Sequence, residues 1–136
     1  MTIRLALCDD TDAFRYLLTL LFEAEPDFEV VGVAEDGVQV VEMVAATQPD
    51  VLLLDVAMPR RDGIGALPHV FRASPTTTVV MFTGFMSDDV ERRAKAAGAA
   101  RVLVKGLRPD ELIDAVRSAA PRATRTAEEV GDDRRD

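Results

Sequence analysis

Cysteine and histidine each occur once in this chain of 136 residues. One thiol makes no internal disulfide, which fits a reducing compartment. One imidazole, with no second histidine or cysteine beside it, makes no metal site. Cys8 and His69 are therefore expected to be a small buried hydrophobe in a strand and an ordinary helix residue. No run approaches 18 apolar residues and no charged-then-apolar leader opens the chain, so neither a membrane span nor a signal peptide is expected. A cytoplasmic location follows as an expectation. Bases are also short, 16 Lys and Arg against 24 Asp and Glu, for a net charge of −8. Such a surface does not neutralise phosphates, which argues against direct nucleic-acid binding by this chain.

What is present is aliphatic and unevenly charged. Length argues for one domain, and 48% hydrophobic residues are enough for a core that buries roughly two-thirds of the unfolded surface. Residues 1–59 hold two bases, Arg4 and Arg15, against twelve acids, whereas residues 60–120 hold ten bases against seven acids. In residues 121–136, nine of sixteen are charged and Val130 is the one sizeable apolar side chain. This segment is expected to be a disordered C-terminal tail following a folded domain of residues 1–120.

Short apolar runs alternate with helical patterns. Ile3 to Cys8 reads as a strand stopped by Asp9-Asp10. Phe14, Leu17, Leu18 and Leu21 recur at helical spacing, with Thr11 or Asp12 placed to cap and Pro26 to stop. Val30 to Ala34 is a second strand, and Val40, Val41 and Val44 mark a second helix face. Val51 to Leu54, closed by Asp55, reads as a strand covered on both faces. Leu67, Val70 and Phe71 suggest a third helix with Pro68 awkwardly inside it. Thr78 to Phe82 is a fourth strand, and Ser87 caps a helix that Gly98 stops. Arg101 to Val104 is a fifth strand, and Pro109 opens a last helix bearing Leu112, Ile113 and Val116. Five alternating pairs predict an α/β fold, a five-stranded parallel sheet with helices on both faces.

In such sheets ligands bind beyond the carboxyl ends of the strands. Those ends carry Asp9 and Asp10, then Asp55, Thr83 and Lys105. Three carboxylates in one pocket repel, by about 4 kcal/mol for a pair about 4 Å apart near a surface. They must therefore take up protons or hold a cation. Oxygen-only ligands on loops suit Mg2+, which favours phosphate as a co-ligand. A lysine and a hydroxyl are useful against a phosphoryl group, and a carboxylate can itself become an aspartyl-phosphate. Singly, each element has a plain structural use as cap, turn residue or solvated charge. Their coincidence at four strand ends carries the inference.

The order and spacing of Asp9-Asp10, Leu53-Leu54-Asp55-Val56-Ala57-Met58-Pro59, Gly63, Thr83 and Lys105 resemble the receiver domain of bacterial two-component response regulators, from Ile3 to about Ala120. The resemblance implies the flavodoxin-like strand order 2-1-3-4-5. It implies that Asp55 accepts a phosphoryl group from the phosphohistidine of a sensor histidine kinase or phosphotransfer protein. Asp10, Asp55 and the Ala57 backbone carbonyl would ligate Mg2+, with Asp9 acting through water. Lys105 and Thr83 would meet the phosphoryl group. The domain would be a phospho-accepting regulator rather than an enzyme with outside substrates. It would signal to an output domain or protein, with phosphorylation-dependent homodimerisation compatible, through a surface including Arg92, Arg93, Lys95, Arg101 and Arg108.

Three positions depart from the family pattern. Val102 stands where many receivers have an aromatic, so aromatic gating is not expected there. Gly106 follows Lys105 in place of proline, which predicts a looser loop. Ala57 offers no side chain to orient a hydrolytic water, so other groups would set the lifetime of the phosphorylated state. Competing readings are an aspartate-nucleophile phosphatase, which generally wants a second acid where Ala57 stands, and a degenerate receiver that only binds proteins. A flavodoxin-like nucleotide binder is disfavoured because the loop after the first strand has no glycine. Phe14, beside the acidic pair, is a candidate partner contact, while Met81, Phe82 and Phe85 read as core and loop.

Overall fold

A computed structural model describes residues 2–121. The tail expected over residues 121–136 lies, beyond Pro121, outside the described residues. Five strands and five helices alternate, in the order β1 (Ile3–Cys8), α1 (Asp12–Glu23), β2 (Phe28–Ala34), α2 (Gln39–Thr47), β3 (Val51–Asp55), α3 (Gly63–Ala73), β4 (Thr78–Thr83), α4 (Asp88–Ala96), β5 (Arg101–Val104) and α5 (Pro109–Ala119). All strand pairs are parallel and the sheet order is β2-β1-β3-β4-β5.

The period-two alternation of strands explains how two cores form on one sheet. Leu5, Leu7, Val51, Leu53, Val80, Phe82 and Leu103 face one side and pack with Leu18 and Phe22 of α1 and Leu112, Ile113 and Val116 of α5. Ala6, Cys8, Leu52, Leu54, Val79, Met81 and Val102 face the other, against Val40 and Val44 of α2, Leu67 and Val70 of α3, and Ala94 of α4. β3 is buried along its whole length, as an uninterrupted aliphatic run requires. Each fully buried leucine contributes roughly 2 kcal/mol by removing apolar surface from water.

Two details of α1 differ from expectation. Leu17 is exposed, as are Tyr16 and Leu20. The buried stripe instead runs through Leu18 and Phe22, flanked by half-buried Phe14 and Leu21. Phe22, one turn after Leu18, takes the inward position that a stripe centred on Leu17 would need. Thr11 is the capping residue by position, but its side chain makes no capping bond. Its own N–H donates instead to Asp9 Oδ1 at 2.7 Å, drawing the loop toward the site.

Other termini follow the expected chemistry. Asp62 Oδ1 accepts from Gly65 N, and Ser87 Oγ accepts from Val90 N, starting α3 and α4. Gly98 ends α4 with φ +111°, a conformation only glycine adopts freely. Pro68 lies within α3 but is exposed, so the backbone position left without an N–H donor faces water. β2 begins two residues before the predicted Val30, because Phe28 buries its ring against Phe22 at 4.9 Å between centroids.

Candidate functional site

Because β1 and β3 are adjacent and parallel, with Cys8 beside Leu54, the residues that follow them emerge side by side. Asp9 and Asp55 are both buried, at 0% and 2% exposure, while Asp10 is exposed at the mouth. One oxygen from each of the three carboxylates lies within 4.8 Å of the others. This is the one group of three or more potential metal-ligating side chains among the described residues. The sequence-predicted acids therefore do converge.

Lys105 follows β5 at the sheet edge, its backbone N–H donating to Thr83 O at 2.8 Å. Its ammonium Nζ donates to Asp9 Oδ2 at 2.9 Å and to Asp55 Oδ2 at 3.2 Å. The remaining oxygens are also engaged. Asp55 Oδ1 accepts from Ala57 N at 3.2 Å, and Asp9 Oδ1 from Thr11 N. Burial, partly offset by Lys105, pushes the Asp55 carboxyl up to about 6. Burial works to lower Lys105, but its bond to Asp9 and both carboxylates hold it above the ordinary lysine value. Asp55 is thus a buried carboxyl whose negative charge costs energy unless a cation faces it.

Thr83 ends β4, the strand beside β3, and is buried. Its Oγ1 donates to Phe85 O and accepts from Phe85 N, both at 3.1 Å. Ala57 is exposed at the start of the loop after β3. The donor set fits Mg2+: oxygen atoms on loops, two buried carboxylates and a third open to water, where a small cation can keep part of its hydration.

Two arginines near these loops, Arg15 and Arg60, had no signal in sequence spacing. Arg15 donates to the backbone carbonyl of Asp9 at 2.8 Å and also pairs with Asp12. Arg60, in the loop after β3 with φ +67°, clasps the buried Asp36 through Nε at 3.0 Å and an η-nitrogen at 2.8 Å. Asp36 Oδ1 also accepts from Val38 N and Gln39 N, the start of α2, and these backbone bonds and Arg60 hold its carboxyl below the usual range. An acid two and three residues before the first helical N–H groups is a capping pattern that could have flagged Asp36. Phe14 is half-buried, its ring 5.6 Å from that of Phe82. Val102 is buried and Phe85 is 81% exposed.

The basic surface is partly neutralised locally. Arg92 and Arg93 pair with Asp89, Lys95 with Glu91, and Arg108 with Asp110 and Glu111. Such exposed pairs contribute little stability. No helix among the described residues is long and apolar enough to cross a membrane.

Comparison with known proteins gives a consistent result. Residues 5–117 match the family model of the response regulator receiver domain. The chain is 40% identical over 118 residues to the uncharacterized transcriptional regulatory protein YxjL of Bacillus subtilis, covering 87% of this chain and 54% of that protein. It is 37% identical over 130 residues to the protein-glutamate methylesterase/protein-glutamine glutaminase 2 of Chromobacterium violaceum, covering 88% of this chain and 36% of that one. The signal receiver domain of the response regulator NarL from Mycobacterium tuberculosis superposes with a TM-score of 0.81 at 30% identity, covering 86% of this chain and 94% of that domain. The chain thus spans about half or less of the curated relatives it matches. The chain belongs to the response regulator receiver family of two-component signalling.

Proposed function

We propose that this domain is phosphorylated on Asp55 by a phosphohistidine donor and that the modification switches its surface. The observation that carries the reading is the interlocked trio of Asp9, Asp55 and Lys105 at the carboxyl ends of β1, β3 and β5. A carboxylate oxygen of Asp55 attacks phosphorus while the phosphorus–nitrogen bond of the donor imidazole breaks. The leaving nitrogen keeps the electron pair and takes a proton. Asp10, Asp55 and the Ala57 carbonyl would hold Mg2+, with Asp9 acting through water. Bound there, Mg2+ supplies positive charge against the phosphoryl oxygens.

The chain's own residues do the rest. Lys105 sits with its charge on the acceptor oxygen and is placed to follow that charge onto the phosphoryl group. Phosphorylation replaces the single charge of the carboxylate by a phosphoryl group carrying about −1.5 to −2 charge units and three acceptor oxygens. Thr83 would exchange its two bonds with Phe85 for one to the phosphoryl group, releasing the loop before α4.

On this reading the domain is a regulator that turns over only its own phosphate. Its donor is a sensor histidine kinase or phosphotransfer protein in the cytoplasm, and its listener an output domain, a separate protein or a second copy. Residues 1–120 form the receiver unit and 121–136 a tail beyond it. The presence of acceptor, acids and lysine together disfavours a module that only binds partners.

The test is labelling by acetyl phosphate or a kinase. Wild type should incorporate one phosphoryl group only with Mg2+, and Asp55→Asn should incorporate none. Absence of wild-type labelling would favour the binding module, and multiple turnover of small phosphate esters would favour a phosphatase.

A further inference from the structure

Lys105 has an unusual distance to bridge. It is carried by the edge strand β5, yet its ammonium contacts acids that follow β1 and β3. Adjacent strands lie about 4.8 Å apart, so the side chain must pass over the end of β4. A lysine stem is flexible and rotamer-rich, and unguided it would sample many positions short of the pocket.

Two rings supply the guide. Nζ lies 4.9 Å from the ring centroid of Phe82, on β4, and 5.0 Å from that of Phe14, in the first turns of α1. The two rings also pack on each other. A cation over aromatic faces is attracted by their electron-rich π clouds, more strongly where water is partly excluded. Phe82 is fully buried and belongs to the core, whereas Phe14 is half-buried at its edge.

We propose that Phe14 is a positioning residue for phosphoryl transfer, its ring holding the Lys105 ammonium over the acceptor carboxylate. The inference rests on the reading of Asp55 as acceptor. The carboxylates cannot do this alone, because phosphorylation removes one of them as Lys105's partner. When Asp55 Oδ2 is phosphorylated or turned toward phosphorus, Lys105 must change oxygen partners without leaving the pocket. The aromatic contacts are the same before and after that exchange. Phe14 thus keeps the cation in place through the step in which its ion pairs are being rearranged.

The experiment compares wild type, Phe14→Leu and Phe14→Tyr, all checked for folding by thermal unfolding. Leucine keeps apolar volume without a π face, and tyrosine keeps the face. With Mg2+ and acetyl phosphate, Phe14→Leu should lower the saturating labelling rate about three- to tenfold and leave the half-saturating donor concentration within about twofold, while Phe14→Tyr stays near wild type. In metal-free protein, the Lys105 ε-methylene protons should be shifted upfield by the rings in wild type and Phe14→Tyr, and relax toward ordinary values in Phe14→Leu. Equal labelling by Phe14→Leu and wild type, or equal slowing by leucine and tyrosine, overturns the proposal alone. A wild type that never labels overturns the acceptor reading and this proposal with it.

Discussion

At the scale of single residues, the pocket places an acid where a charge is costly. The Asp55 carboxyl is pushed up to about 6 chiefly by burial, against an unfolded value near 4. A folded value raised in this way contributes stability that is complete below the unfolded value and lost as pH rises through about 6. Metal-free protein at pH 7 is therefore on the destabilised side. Asp55→Asn should raise the metal-free Tm by a few degrees at pH 7 and by little or nothing at pH 4, measured by calorimetry. Mg2+ should raise the wild-type Tm and leave that of Asp55→Asn nearly unchanged. Asp55, Asp9, Asp10, Thr83 and Lys105 were legible in the sequence because each directly follows or ends an aliphatic run, and parallel strands bring such positions to one edge. Arg15 and Arg60 were not, since their partners depend on how loops fold back, and no spacing encodes that.

At the scale of elements, the segment between Asp55 and α3 shows how tightly a loop can be specified. Gly63 N donates to Val56 O at 2.7 Å, closing the loop on itself. A Cβ on Gly63 would lie 2.1 Å from the backbone oxygen of Asp55, and one on Gly37 would lie 1.9 Å from that of Arg61. Neither neighbour is a flexible side chain, so the backbone itself would have to move. Gly63→Ala should therefore cost more than about 2 kcal/mol, read as a lower urea midpoint, with amide shifts centred on Val56 and the first turn of α3. The helix faces of α2, α3 and α5 could be read directly from their apolar periodicity. For α1 the same rule misplaced Leu17, because the run Leu17, Leu18, Leu20, Leu21 and Phe22 offers more apolar residues than one face can bury. Periodicity ranks candidates there, and the space left beside β1 and α5 decides among them.

At the scale of the whole molecule, the last helix is tied to the loop between the first helix and the second strand. Arg117 of α5 reaches the loop between α1 and β2, bonding Asp27 through Nε at 2.6 Å and Glu25 at 2.9 Å, with its guanidinium 5.6 Å from the Phe28 ring. The hydrogen bond from Arg117 holds the Asp27 carboxyl below the usual range. A depressed carboxyl contributes stability present above its unfolded value, near 4, and lost as pH falls through the folded one. Urea midpoints measured from pH 6 down to pH 3 should fall less steeply for Asp27→Asn than for wild type, with the two converging at the acid end. The uneven charge of the sequence also takes on a location. The acid-rich first half supplies the buried carboxylates, and the base-rich second half supplies the lysine that answers them.

The sheet order has a consequence for how this protein comes into being. Asp9 and Lys105, which share a hydrogen bond, stand 96 residues apart in the chain. Within the folded region Asp9 is synthesised early, with β1, and Lys105 late, after β5. A nascent chain that has already laid down β1 and β3 owns its acids but has no cation to answer them. The Asp9–Asp55–Lys105 trio is therefore complete only once the edge strand has joined the central strands. On the proposed function, a domain cut off before β5 keeps its acids but lacks the lysine and should not be phosphorylated.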